Sequence, residues 1–236
     1  MSLIVMVLII LAVSSALAWF GFYVGIRALP GDTTRHSRWI IGSAVVAIAW
    51  LLGVSLLGAS DNSVLRQLIP VALASTLLAG YLVLLSSTFR QIIAAVPQHW
   101  LIGIQVFRVV GAVWLVRYFS GTLPGAFALP AGIGDVTTGL LAPFVAFAWY
   151  SRKRYARGAA IAWNIFGLAD LVNAVLMASL TGGAAGLIFP LALIPAYGVP
   201  RSLLIHSYSL IGLLRRTARQ RRRSESLHSQ INAIRA

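Results

Sequence analysis

Apolar stretches about 20 residues long recur from one end of this chain to the other, and they constrain its fold more than any other feature. A helix rises about 1.5 Å per residue, so about 20 apolar residues cross the hydrocarbon core of a bilayer. Seven such stretches occur, at roughly 3–26, 39–59, 64–88, 100–119, 126–149, 158–180 and 186–214. A segment in lipid must satisfy its own backbone hydrogen bonds, and a helix does so without a partner. The expected fold is all-α: a polytopic transmembrane bundle of about seven helices over residues 1–214, followed by a basic tail at 215–236. Only 10% of the residues are charged, against about 25% in an ordinary soluble domain.

The charges set an expected orientation. Lys and Arg total 19 and Asp and Glu total 5. Nucleic-acid binding is one usual meaning of such an excess, but here the basic residues lie between apolar stretches, where the positive-inside rule places them. Arg27, Arg35 and Arg38 lie in the first connection and Arg90 in the third. Arg152, Lys153, Arg154 and Arg157 lie in the fifth, and Arg215, Arg216 and Arg219 open the tail. The connections between these are poor in basic residues, so the rich ones share one side if the helix count is odd. This predicts an N-terminus outside and a C-terminus in the cytoplasm of a multi-pass bacterial inner-membrane protein, with membrane lipids as its surroundings and no nucleic-acid partner. The tail reads first as a topology signal and second as a polybasic lipid contact worth about 1 kcal/mol per basic residue. Ser15–Ala18 resembles a signal-peptidase site. No basic residue precedes that apolar run, so an uncleaved helix is the expectation. Trp19, Trp39, Trp100, Trp149 and Tyr150 fall near span ends, as interfacial aromatic belts do.

Several chemistries have no residues to carry them. There is no Cys, which excludes disulfides, iron–sulfur clusters and a thiol nucleophile. No Lys lies in a span, and a b-type haem usually has two His at matching depth, where only His206 is placed. Asp135, Asp170 and His206 have metal-ligand chemistry but no diagnostic spacing. No cofactor and no metal is expected.

The ionisable residues at depth gather in the last four spans. Gln105 and Arg108 lie in the fourth, Asp135 in the fifth, Asn164, Asp170 and Asn173 in the sixth, and Arg201 and His206 in the seventh. A charge at the bilayer centre costs about 2.5–3.5 kcal/mol on insertion scales, so these groups should face one another or a wet cavity. Arg108 and Arg201 match Asp135 and Asp170 in number and sign, and Arg108 or Arg201 should reach Asp170. Gln105, Arg108 and Ala112 share a helical stripe, as do Trp163, Phe166, Asp170 and Asn173. Counted from the predicted ends, Arg108 lies about 12 Å deep and Asp170 about 18 Å deep; Asp135 is expected to be shallower, about 9 Å from the outer end of its helix. The set therefore reads as a column across the membrane.

Two segments predict broken helices. Pro124, Gly125, Pro130, Gly132 and Gly134 precede Asp135 and suggest either an unwound start or a loop with Asp135 as a cap. Pro190, Pro195 and Pro200, with Gly198, suggest that the last helix breaks and restarts at Pro200. The amide end of that half-helix, beside Arg201, would then suit an anion. Broken helices recur in transporters. The leading expectation is a transporter-like protein that binds or moves a small solute, an anion among the candidates, through a polar column between the fourth and seventh helices. Protonation of Asp135, Asp170 or His206 would couple it to a proton gradient. The alternatives are a membrane enzyme acting on a lipid-borne substrate, and a structural or partner-binding protein whose charges lock the bundle. The oligomeric state is left open.

Overall fold

A computed structural model describes residues 3–215, apart from residues 30, 32, 61 and 84. The tail from residue 216 lies outside the described residues. All regular structure among them is helical. Helices α1 (Leu3–Arg27), α2 (Thr33–Ser60) and α3 (Asn62–Val83) come first, followed by α4 (Ser87–Ala95). Val5–Arg27, His36–Leu56, Gln98–Phe119, Gly125–Tyr150 and Ala156–Leu180 are each long and apolar enough to cross a bilayer. Ile69–Leu82 and Ser87–Ala95 add a sixth if they are taken as one span, bent by 96°. The chain is a multi-pass membrane protein. Its outer surface agrees with that: Ile41, Val45, Val46, Ile48 and Leu52 of α2 are all exposed, as residues facing lipid are.

The expected third span, 64–88, divides because Ser86 starts a new helix. Ser86 is extended (φ −68, ψ 124), and its hydroxyl accepts the Phe89 N–H, a standard N-cap. Helix α4 ends in turn at Val96, which is extended (φ −65, ψ 127), as the residue before a proline tends to be.

The next span runs Gln98–Phe119 and is not uniformly α-helical. Helix α5 (Gln98–Gly103) gives way to a 3₁₀ segment, Ile104–Gly111, before α6 (Ala112–Phe119). A 3₁₀ helix has three residues per turn, so side chains three apart stand in line. The inward row is therefore Gln105, Arg108 and Gly111, which are all buried, and not Gln105, Arg108 and Ala112.

Helix α7 (Gly125–Tyr150) and α8 (Ala156–Leu180) form the centre of the molecule, and α7 packs most extensively against α8 and the 3₁₀ segment. The unwound start expected before Asp135 is not found. Pro124 is extended and α7 runs from Gly125 without a break. Pro130 is the sixth residue of that helix and removes the N–H that would bond the Ala126 carbonyl, yet the helix continues through it. The last helix, α9, covers 193–215 and opens with a π-helical turn at Ile194–Gly198. The break expected at Gly198–Pro200 is therefore also corrected. The wider turn lets the Val199 N–H reach back to the Ile194 carbonyl, so the helix passes Pro200 without stopping. The largest apolar core joins Val7 and Leu11 of α1 to Phe107, Trp114, Phe127 and residues 191–194.

Candidate functional site

Arg108 is the centre of a buried charged cluster. The 3₁₀ row aims it between α7 and α8, where only 1% of it is exposed. Its Nε donates to Asp135 at 2.7 Å, and a terminal nitrogen donates to Asp170. The other terminal nitrogen lies 3.2 Å from the Gly167 carbonyl and 3.1 Å from His206 Nε2. A guanidinium can only donate. His206 Nε2 therefore accepts, its proton sits on Nδ1, and Nδ1 donates to Asn164 Oδ1 at 3.0 Å. Asn164 Nδ2 donates to Ser209 Oγ at 2.9 Å, and Gln98 Nε2 donates to the same hydroxyl. Gln105 exchanges two bonds with Ser202, at 3.3 Å and 3.1 Å.

Glycines make room for this cluster. A side chain at Gly134 would run into the Asp170 carboxylate. A Cβ at Gly167 would lie 2.6 Å from His206 Nε2 and 3.1 Å from Arg108. With α7 beginning at Gly125, Asp135 lies ten residues along it, about 15 Å deep. It meets Arg108 directly, so the groups form one cluster where a column with a shallow Asp135 was expected. Arg108 reaches Asp170 as expected. Asn173, half-buried one turn beyond, is not among the partners of Arg108. Arg108 stands between the two acids, and no group of three possible metal ligands occurs among the described residues.

Arg201 is somewhere else, and its pairing with an acid is corrected. Its terminal nitrogens donate to Ser15 Oγ at 2.7 Å and Ser14 Oγ at 2.8 Å. Both hydroxyls pass their own protons to the Leu11 carbonyl of α1. The guanidinium stacks on the Phe107 ring at 4.4 Å and lies 5.1 Å from the Tyr197 ring, while Tyr197 donates to Ser15 at 2.8 Å. Arg201 Nε is buried with no partner. Sequence reasoning passed over Ser14 and Ser15 because they are neutral. The available signal was two adjacent hydroxyls inside an otherwise apolar run.

Arg201 lines a cavity of about 700 Å³ bounded by α1, α2, α4, the Gln98–Phe119 span and α9. Trp19, Trp39 and Trp100, expected at the membrane interfaces, are part of its wall, and Trp50 joins them. Five buried side-chain atoms among the described residues lack a hydrogen-bond partner. Three of them, Trp19 Nε1, Trp50 Nε1 and Arg201 Nε, belong to residues that line this cavity. Neither Arg108 nor either acid does.

Residues 64–214 match the model of a family described as a domain of unknown function (DUF8737). That is more than half of the chain, and the chain belongs to this family. The matched residues hold the whole Arg108 cluster and Arg201, while all of α1 and α2 precede them. No curated protein and no solved structure is detectably similar to the chain.

Proposed function

We propose that the chain is a transporter-like protein of the bacterial inner membrane that binds a small anionic solute at Arg201. In this reading it crosses the bilayer seven times, with the N-terminus outside and the C-terminus in the cytoplasm. The solute site lies where α1 and α2 meet the Gln98–Phe119 span and α9, and not in the Arg108 cluster between the fourth and seventh helices. One observation carries the reading: Arg201 is a cation held at depth by two hydroxyls and two rings, with no acid beside it among the described residues, at the wall of a cavity. The burial of such a charge is incompletely offset, and an anion in the cavity would complete it.

The Arg108 cluster supports a different role. Every nitrogen of Arg108 is bonded, glycines close round it, and both acids are engaged. It locks α7, α8, α9 and the 3₁₀ segment together. Two acids against one base leave room for one proton, and coupling to a proton gradient would enter there. The enzyme alternative loses support, because neither carboxylate faces the Arg201 cavity.

The test uses an anion and a neutral molecule of the same shape. The purified chain should bind benzoate more tightly than benzyl alcohol, and Arg201→Gln should remove the difference while Arg201→Lys keeps part of it. Accumulation of labelled benzoate in proteoliposomes would extend this from binding to transport. Equal binding of the two probes to the unaltered chain refutes the reading.

A further inference from the structure

We infer that the occupant of the Arg201 cavity is an amphipathic anion, with one carboxylate or phosphate group held by Arg201 and an apolar body filling the aromatic part of the cavity. This rests on the anion reading above and adds the chemistry of the rest of the ligand.

Size is the first support. A volume of about 700 Å³ falls in the range of sites that enclose whole small molecules. An inorganic ion or a short carboxylate would leave most of it unfilled.

The wall is the second support. Away from Arg201 the cavity is bordered by Phe22, Trp39, Val46, Ala47 and Phe89. Apart from the Trp39 indole N–H, these offer no strong hydrogen bond and reward apolar surface. Gly42 also lines the cavity, and nothing lies within 4 Å of where its Cβ would be. The open space therefore lies against α2.

The third support is the set of unpaired donors. Trp19 Nε1, Trp50 Nε1 and Arg201 Nε are N–H groups without acceptors. All three atoms are covered by protein, so they add positive field at the wall and not direct contacts, and a carboxylate or phosphate is the group that such a field favours. Arg38, exposed on the α2 side of the cavity, adds a second positive charge and no acid lines the wall. A neutral apolar filler would leave the charges of Arg201 and Arg38 uncompensated.

The ligand chemistry has two possible sources, a membrane lipid with an anionic headgroup or a free single-chain amphiphile, and the test separates them. The full chain is placed in nanodiscs of zwitterionic lipid, and quenching of its tryptophans by bromine-labelled probes is followed. Trp19, Trp39, Trp50 and Trp100 line the cavity and report on it. Bromo-decanoate should bind about tenfold more tightly than bromo-butyrate or bromo-decanol, a factor within reach of one ionic contact or of a few buried methylenes. Arg201→Gln should reduce decanoate to the level of decanol. Gly42→Leu, which meets open space, should weaken decanoate and leave butyrate unchanged. Brominated phosphatidylglycerol that quenches and is displaced by decanoate identifies a lipid as the source, and no quenching by that lipid identifies the free amphiphile. If butyrate binds as well as decanoate, the amphiphile inference is overturned and the anion reading stands. If decanol binds as well as decanoate and Arg201→Gln changes nothing, both are overturned. If no probe quenches while the protein elutes as a folded species, both are likewise overturned.

Discussion

Replacing Arg108 by Gln should damage the fold far more than replacing either of its acids. Among the described residues Arg108 is the one base paired with Asp135 and Asp170, and all three residues are at least nine-tenths buried. Arg108→Gln leaves two carboxylates facing each other without a cation. Breaking a buried pair from one side typically costs about 3–5 kcal/mol, because the remaining charge is uncompensated. Asp170→Asn differs. It leaves the Arg108–Asp135 pair intact, and its amide oxygen can still accept from Arg108, so the cost should be about 1 kcal/mol, that of a weakened hydrogen bond. At roughly 2–4 °C per kcal/mol for a chain of this size, Arg108→Gln should lower the unfolding midpoint by roughly 6–20 °C. The assay is the fraction of purified protein that still elutes as a folded species after heating in detergent. The triple change Arg108→Gln, Asp135→Asn, Asp170→Asn removes every charge of the cluster and should recover much of the loss. If Asp170→Asn is as damaging as Arg108→Gln, Arg108 does not serve both acids and the account of the cluster is wrong.

Two further outcomes follow from the packing and the charge pattern. Gly134→Leu places a side chain where the Asp170 carboxylate lies; it should cost about 1–3 kcal/mol or more by overpacking, while Gly42→Leu, with open space around it, should keep the folded yield of the unaltered chain. Single cysteines at Ser60 and Thr181 should react with an impermeant thiol reagent in intact cells, and one at Ser151 only after permeabilisation; reaction of Ser151 in intact cells reverses the proposed orientation.

The spans from residue 98 onward were legible because each is a long apolar run bounded by polar or proline-containing turns. The expected 100–119, 126–149 and 158–180 correspond to Gln98–Phe119, Gly125–Tyr150 and Ala156–Leu180. What was not legible depended on helix type and on partners far away in sequence. The 3₁₀ stretch Ile104–Gly111 has no strong breaker of its own, and it exchanges Ala112 for Gly111 in the inward row. The π turn at Ile194–Gly198 absorbs prolines that, read locally, should end a helix. Glycines and prolines at the head of α7 suggest a loop or an unwound start, whereas the helix runs unbroken from Gly125 and packs against α8 and the 3₁₀ segment; the nine residues from the expected start at 126 to Asp135 already amount to about 13.5 Å. Tertiary contact overrides propensity at that point. The partners of Arg201 lie more than 180 residues away in sequence, and nothing local marks Ser14 and Ser15 as cation ligands.

The two deep arginines show why charge at depth is not by itself a site. Each carries an insertion cost of about 2.5–3.5 kcal/mol. For Arg108 that cost is met within the protein by two acids and by bonds to every nitrogen. Nothing further is needed there, and a ligand would have to displace a complete set of partners. For Arg201 the offset consists of two hydroxyl bonds and two ring contacts. Hydrogen bonds to a charged group contribute about 1.5–3 kcal/mol and a desolvated cation–π contact about 2 kcal/mol. These are enough to keep the side chain at depth, but they leave its charge without a counter-ion and its Nε without an acceptor. The matched family residues contain both arginines, whereas Ser14 and Ser15 precede them. Arg201 is therefore clamped across two parts of the chain, α1 and α9, with a cavity at its side. An anion arriving there would add its charge to a contact that already spans the two helices, and its binding energy would act on how α1 sits against α9.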